Sequence, residues 1–188
     1  MMLTVTTIIG NIKDNLDLHH KYRESLKKDT LETITIQRFE TEKVRLRKAT
    51  DKKTDVGFIL PSRTYLKDGD VAFLDDTKMI IIKLTPELVA ILNIKKHIHS
   101  HNSNHVDSDN YQHDDNLDFI KVAIRVGHTI GNLHRPLKID NDNIIFPIQT
   151  IDEANLFLKL LSDLEDRIEI RTETLIFEPD QGFHIHAH

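Results

Sequence analysis

Leu88-Val89-Ala90-Ile91-Leu92-Asn93-Ile94 is a run of strand length with a single polar member. Such a run fits a strand covered on both faces, in the middle of a sheet. Lys95 to Asp115 follows, composed of His, Asn, Asp, Ser and Lys with almost nothing apolar, and is expected to form an exposed, disordered loop. Asn116 to Ile130 then carries Leu117, Ile120, Ala123, Ile124 and Val126 at helical spacing, with Gly131 where a helix C-cap favours positive φ. Arg135 to Asp140 and Asn143 to Ile148 read as two strands around an Asn141-Asp142 turn. Thr150 with Glu153 forms a capping-box pattern opening a helix marked by Ile151, Ala154, Leu158 and Leu161, and Ile168 to Phe177 reads as a last strand. The resulting order, strand, helix, strand, strand, helix, strand, is the ferredoxin-like βαββαβ arrangement, expected over residues 86–178 with a His-rich insertion at 96–115 and a His-containing tail at 179–188.

Upstream of Thr85-Pro86-Glu87 the pattern changes, because Pro ends a strand and no apolar rhythm crosses it. Thr33 to Phe39, Lys43 to Arg47, Val56 to Leu60, Val71 to Leu74 and Met79 to Leu84 read as short strands, with Lys67-Asp68-Gly69-Asp70 a turn in which Gly supplies positive φ. With no helix pattern of convincing length, residues 1–85 are expected to be a small all-β domain, a sandwich or barrel. The expected fold class is therefore α+β. His19 and His20 fall in a polar connection without pattern.

The chain has 188 residues, room for one large or two small domains of about 150 residues or less. Its net charge of -5, spread along the chain, lacks the basic excess that tracks nucleic acid. The absence of Cys excludes disulfides, thiolate zinc sites and iron–sulfur clusters and fits a reducing cytosol. No segment approaches the roughly 18 apolar residues of a membrane span, and Met1 to Ile12 has no basic stretch ahead of a long apolar run. A soluble, cytoplasmic protein with neither nucleic acid nor membrane as partner is expected.

Histidine is the unusual residue. Of 12 His, five lie between His97 and His113 and three in the last five residues, so two short polar segments hold eight. His97, His99 and His101 alternate, as do His184, His186 and His188; imidazole clustered in flexible sequence suits a zinc, copper or nickel ion that gathers ligands from several positions. The plain alternatives are a solvated insertion that binds metal incidentally and an expression tag, although tags are usually consecutive His. An EF-hand reading of Asp107, Asp109, Tyr111, His113, Asp115 and Asp118 fails, because Gln112 stands where Gly is needed and Asp118 where a bidentate Glu belongs. His134, between helix and strand, reads on its own as a capping or hydrogen-bonding residue, and His128 as an ordinary helix-surface His. HExxH, GxSxG, Walker and GxGxxG patterns are absent, and an enzyme is not expected.

Three stretches carry a resemblance. Arg45 to Asp70, RLRKATDKKTDVGFILPSRTYLKDGD, resembles the N-terminal domain of the urease accessory protein UreE family, with its R-x-R, T-D-x-G-x and L-P-x-x-x-x-L-x-x-G-D run. Gly131 to Pro136, GNLHRP, resembles that family's G-N-[RL]-H-x-P element, and Phe177 to Gly182, FEPDQG, its closing F-E-P-x-x-G, after which members commonly carry His-rich tails. The resemblance implies a nickel metallochaperone that is a homodimer through its C-terminal domains, with His134 of each copy meeting at the two-fold axis, the N-terminal domain binding a partner, and apo-urease and an accessory GTPase complex as clients. It implies Ni(II) as cargo, with Zn(II) or Cu(II) substituting in vitro; copper outranks nickel at imidazole sites. The sequence departs from the family in two places: Phe146-Pro147-Ile148-Gln149 lacks the further His pair of many members, and the 96–115 insertion is unusual. The rival from another class is a cytoplasmic His-rich buffer for Ni, Zn or Cu without a client.

Overall fold

Met79–Leu84 supplies Met79, Ile80, Ile81 and Ile82, all buried, so this strand is covered on both faces. Its place in the chain follows from the elements around it. The computed structural model describes residues 2–95 and 108–180, apart from the side chains of 108–116. The chain divides into two compact units, Met1–Pro86 and Glu87–His188.

The first unit runs β1 (Leu3–Val5), β2 (Gly10–Asn11), α1 (Leu16–Lys27), β3 (Leu31–Ile36), a 3-10 turn (Arg38–Glu40), β4 (Arg45–Ala49), β5 (Asp55–Ile59), β6 (Asp70–Leu74) and β7 (Met79–Leu84). Three strands form a sheet in the order β1-β5-β4, and four form a second in the order β2-β6-β7-β3. β1 pairs with β5 and β3 with β7 in parallel, while the remaining pairs are antiparallel. Val5, Leu46, Val56 and Phe58 from one sheet and Ile34, Ile36, Ile80 and Ile82 from the other share one core. On the other face of the second sheet, Leu31, Val71, Met79 and Ile81 pack with Leu18 of α1.

That helix corrects the all-β expectation. Asn15 caps α1, its side-chain oxygen accepting from the N–H groups of Asp17 at 3.0 Å and Leu18 at 3.1 Å. Leu18 is its one buried residue, so no apolar stripe announced the helix in the sequence. His19 and His20 are thereby exposed residues of α1 rather than part of a connection. The turn before β6 matches its reading, since Gly69 has φ +89.

The second unit runs β8 (Glu87–Ile94), α2 (Ser108–Asn132), β9 (Lys138–Asp140), β10 (Asn143–Pro147), α3 (Ile151–Leu160), a 3-10 stretch (Ser162–Arg167) and β11 (Ile168–Leu175). The sheet order is β11-β8-β10-β9 with all neighbours antiparallel, which puts β8 inside. Ala90, Leu92 and Ile94 of β8 and Phe146 of β10 face Val122, Val126 and Ile130 of α2 and Ala154 and Phe157 of α3. On the opposite face Val89, Ile91 and Ile145 are covered by Phe177.

Two expectations for α2 change. The helix starts at Ser108, so the last eight residues of the expected loop are helical in backbone, whereas 96–107 lie outside the described residues. The apolar periodicity also split differently: Val122, Val126 and Ile130 are buried, while Leu117, Ile120 and Ile124 are 44%, 51% and 66% exposed. In α3, Ile151 is likewise exposed, and Ala154 and Phe157 form the buried side.

Candidate metal centre

The C-terminal end of α2 is closed by His134, not by Gly131. Gly131 remains helical, with no positive φ, and the left-handed residue is His134 at φ 51. The N–H of Leu133 donates to the carbonyl of Ile130 at 3.1 Å and that of His134 to Gly131 at 2.9 Å, satisfying carbonyls at the helix end. Histidine, like Asn and Asp, is among the non-glycine residues enriched in the left-handed region, where β-branched residues are outliers. The consequence for chemistry is placement: His134 is exposed, on a turn of defined backbone, at the negative end of a long helix dipole. The last turn of α2 holds no basic residue to offset that end.

His128, one turn earlier and exposed, has its Nδ1 3.3 Å from the side-chain nitrogen of Asn132. Beyond His134 the chain enters a stretch without ladder bonds until Lys138, and polar side chains hold it. The Arg135 guanidinium donates through one Nη atom to both oxygens of Glu153, at 3.1 and 3.0 Å. Glu153 also accepts from the backbone N–H of Gln149 at 3.0 Å. Further on, Asp180 accepts from the N–H of Ile139 at 2.8 Å, while its own N–H donates to the carbonyl of Leu137 at 3.2 Å. The segment after His134 is thus tied to the first turn of α3 and to the start of the C-terminal stretch.

The capping-box expectation for α3 is corrected here: Thr150 is the N-cap residue but its side chain makes no capping bond. The Glu153 carboxylate reaches Gln149 and Arg135 instead. Neither of these contacts was read from the sequence; the only signal was an Arg beside the candidate ligand and a Glu placed to open a helix.

Of the candidate ligands, His134 lies on the ordered turn just described. His97, His99 and His101, with His105, lie outside the described residues, as do His184, His186 and His188, and the side chain of His113 is not described. Among the described residues no group of three or more His, Cys, Asp or Glu side chains gathers closely enough to hold a metal ion. Among the described residues, His134 is thus an exposed nitrogen donor with no such group gathered around it. No described helix is long and apolar enough to cross a membrane.

Residues 5–85 match the family described as UreE urease accessory protein, N-terminal domain. Relatives named urease accessory protein UreE include one from Edwardsiella ictaluri, 28% identical over 149 residues, covering 78% of this chain and 58% of the relative. One from Natronomonas pharaonis is 22% identical over 148 residues (79% and 60%), and one from Haemophilus influenzae 28% over 144 (76% and 65%). The match spans less than two thirds of each of these relatives' own length. Alignments this long extend past the first unit into the second, so the similarity to urease accessory proteins named UreE, carried at residues 5–85 by the N-terminal domain match, runs through both units.

Proposed function

We propose that this protein is a non-enzymatic carrier that binds Ni(II) and delivers it during urease maturation, handing the ion to apo-urease in company with an accessory GTPase. The observation that carries this reading is the exposed His134 imidazole, on a left-handed turn after a helix whose last turn holds no basic residue, in a chain whose residues 5–85 match the UreE N-terminal domain. In this reading the second unit is a ferredoxin-like domain that dimerises, and His134 from each copy supplies a pair of ligands across the two-fold axis. The stripe Leu117, Ile120 and Ile124, apolar and exposed in the isolated chain, supports burial against a second copy. The first unit is left to engage a protein partner.

Two imidazoles on fixed backbone leave coordination positions open, and the histidines of 96–107 and of the tail fill them one at a time. Each can leave singly, so a partner's ligand enters without dismantling a cage. Imidazole binds metal only when neutral, so mild acid favours release. Zn(II) and Cu(II) compete for the same nitrogen donors in vitro.

The eight histidines in two short segments favour a second reading, a metal buffer without a client. The test is complementation: in cells that express urease but lack their own member of this family, the chain restores urease activity under nickel limitation. Restoration of nickel tolerance without any gain in urease activity supports the buffer instead.

A further inference from the structure

We propose that the Arg135–Glu153 ion pair is the positioning device of the His134 turn, and that it sets the affinity of the site without touching the metal. The inference rests on the reading of His134 as a nickel ligand. His134 occupies a backbone conformation that an L residue adopts at a cost, and such conformations persist only where the surroundings over-determine them. Upstream, α2 and the bonds from Leu133 and His134 fix the turn. Downstream there is no strand pairing before Lys138, and the contact nearest to His134 is the one made by Arg135.

That contact is built from three pieces of chain. Both oxygens of Glu153 accept from Arg135, and one of them also takes the N–H of Gln149, so a single carboxylate joins the residue after His134, the residue after Ile148 and the opening turn of α3. The two side chains are 26% and 24% exposed, less screened than an ordinary surface pair. At the opening of α3 the Thr150 side chain makes no cap, and the Glu153 carboxylate accepts from the Gln149 N–H, one residue before the Thr150 N–H that a capping box uses. Partners that orient a metal ligand from behind typically change metal affinity by about 10–100-fold when removed.

The experiment is nickel titration of the full-length chain by calorimetry, with R135A, E153A, E153Q, the R135A/E153A double variant and H134A, each checked as folded by circular dichroism at the titration temperature. R135A and E153A are each expected to weaken the tightest phase about tenfold with the number of bound ions unchanged. The double variant is expected to be no weaker than either single one, and E153Q, which retains an acceptor, to recover most of the E153A loss. Nickel bound by R135A as tightly as by the parent, additive losses, or no recovery in E153Q overturns the proposal. If H134A itself keeps the tightest phase, it is the assignment of His134 that fails, a distinguishable result.

Discussion

Thr50 donates its hydroxyl to the Glu32 carboxylate at 2.7 Å across 18 residues of sequence, with both residues buried. The Thr50 oxygen also accepts from the N–H of Thr54, and Lys78 lies 3.4 Å from the other carboxylate oxygen, so one buried charge joins β3, the β4–β5 turn and the start of β7. T50V is expected to destabilise the first unit by about 1–3 kcal/mol, since it takes one donor from a buried carboxylate and the acceptor from the Thr54 N–H. Chemical denaturation of the two proteins side by side measures it.

The same carboxylate makes the first unit acid-sensitive. Burial raises the Glu32 pKa, but hydrogen bonds from Thr54, Thr50 and Lys78 and the Lys78 charge outweigh it and hold the group below the ordinary carboxylate value. At Glu40, burial is likewise outweighed by Lys48 and the Gln37 N–H. A depressed folded pKa contributes stability that is present above the unfolded value, near 4.5, and is lost as pH falls through the folded one. Melting temperature should therefore fall as pH drops below about 4.5, and E32Q/E40Q should show a flatter acid limb than the parent.

Gly69 is a position where glycine is required. Its φ is +89, and an added Cβ would lie 3.0 Å from both Asn11 Oδ1 and Ile12 Cγ1. Asn11 donates to the Asp68 carbonyl at 3.0 Å and to Asp70 at 2.8 Å, so the neighbour that must give way is the one holding the turn. G69A should cost about 1–3 kcal/mol, read as a shift of the denaturation midpoint.

What the sequence made legible follows from which signals are local. β7 and β8 announced themselves because strands covered on both faces are continuously apolar, and the turn at Gly69 because of its glycine. α1 was hidden because a helix lying on a sheet through Leu18, with Tyr22 half-buried one turn on, shows no broad stripe; Asn15 as cap and Asp17 in the first turn were the available clues. In α2, periodicity defined apolar positions but not which of them face the sheet, and Val122, Val126 and Ile130 won that place over Leu117, Ile120 and Ile124. Gly131 drew the helix stop because glycine is the usual left-handed residue, yet the helix runs two residues further, to Asn132, and His134 takes that conformation. The contact between Arg135 and Glu153, 18 residues apart, depends on the tertiary placement of α3 and had no local signature.

The helical start at Ser108 moves the boundary of a deletion experiment. Removing 96–107 together with 183–188 spares α2 and takes away seven histidines, His97, His99, His101, His105, His184, His186 and His188. The number of nickel ions bound should fall, with the metal-free melting temperature shifting by no more than a few degrees; equilibrium dialysis and calorimetric melting measure the two.

If His134 is the fixed ligand around which delivery is organised, nickel titration of H134A beside a urease-activation assay under nickel limitation shows it. The change removes one histidine of 12 per chain, so a buffer would lose only a small part of its capacity. Loss of the tightest binding phase and of activation is expected, because the other imidazoles, without a fixed ligand pair to close around, must assemble the whole site themselves. Retention of both in H134A, with activation abolished by deleting 96–107 and 183–188, would contradict it.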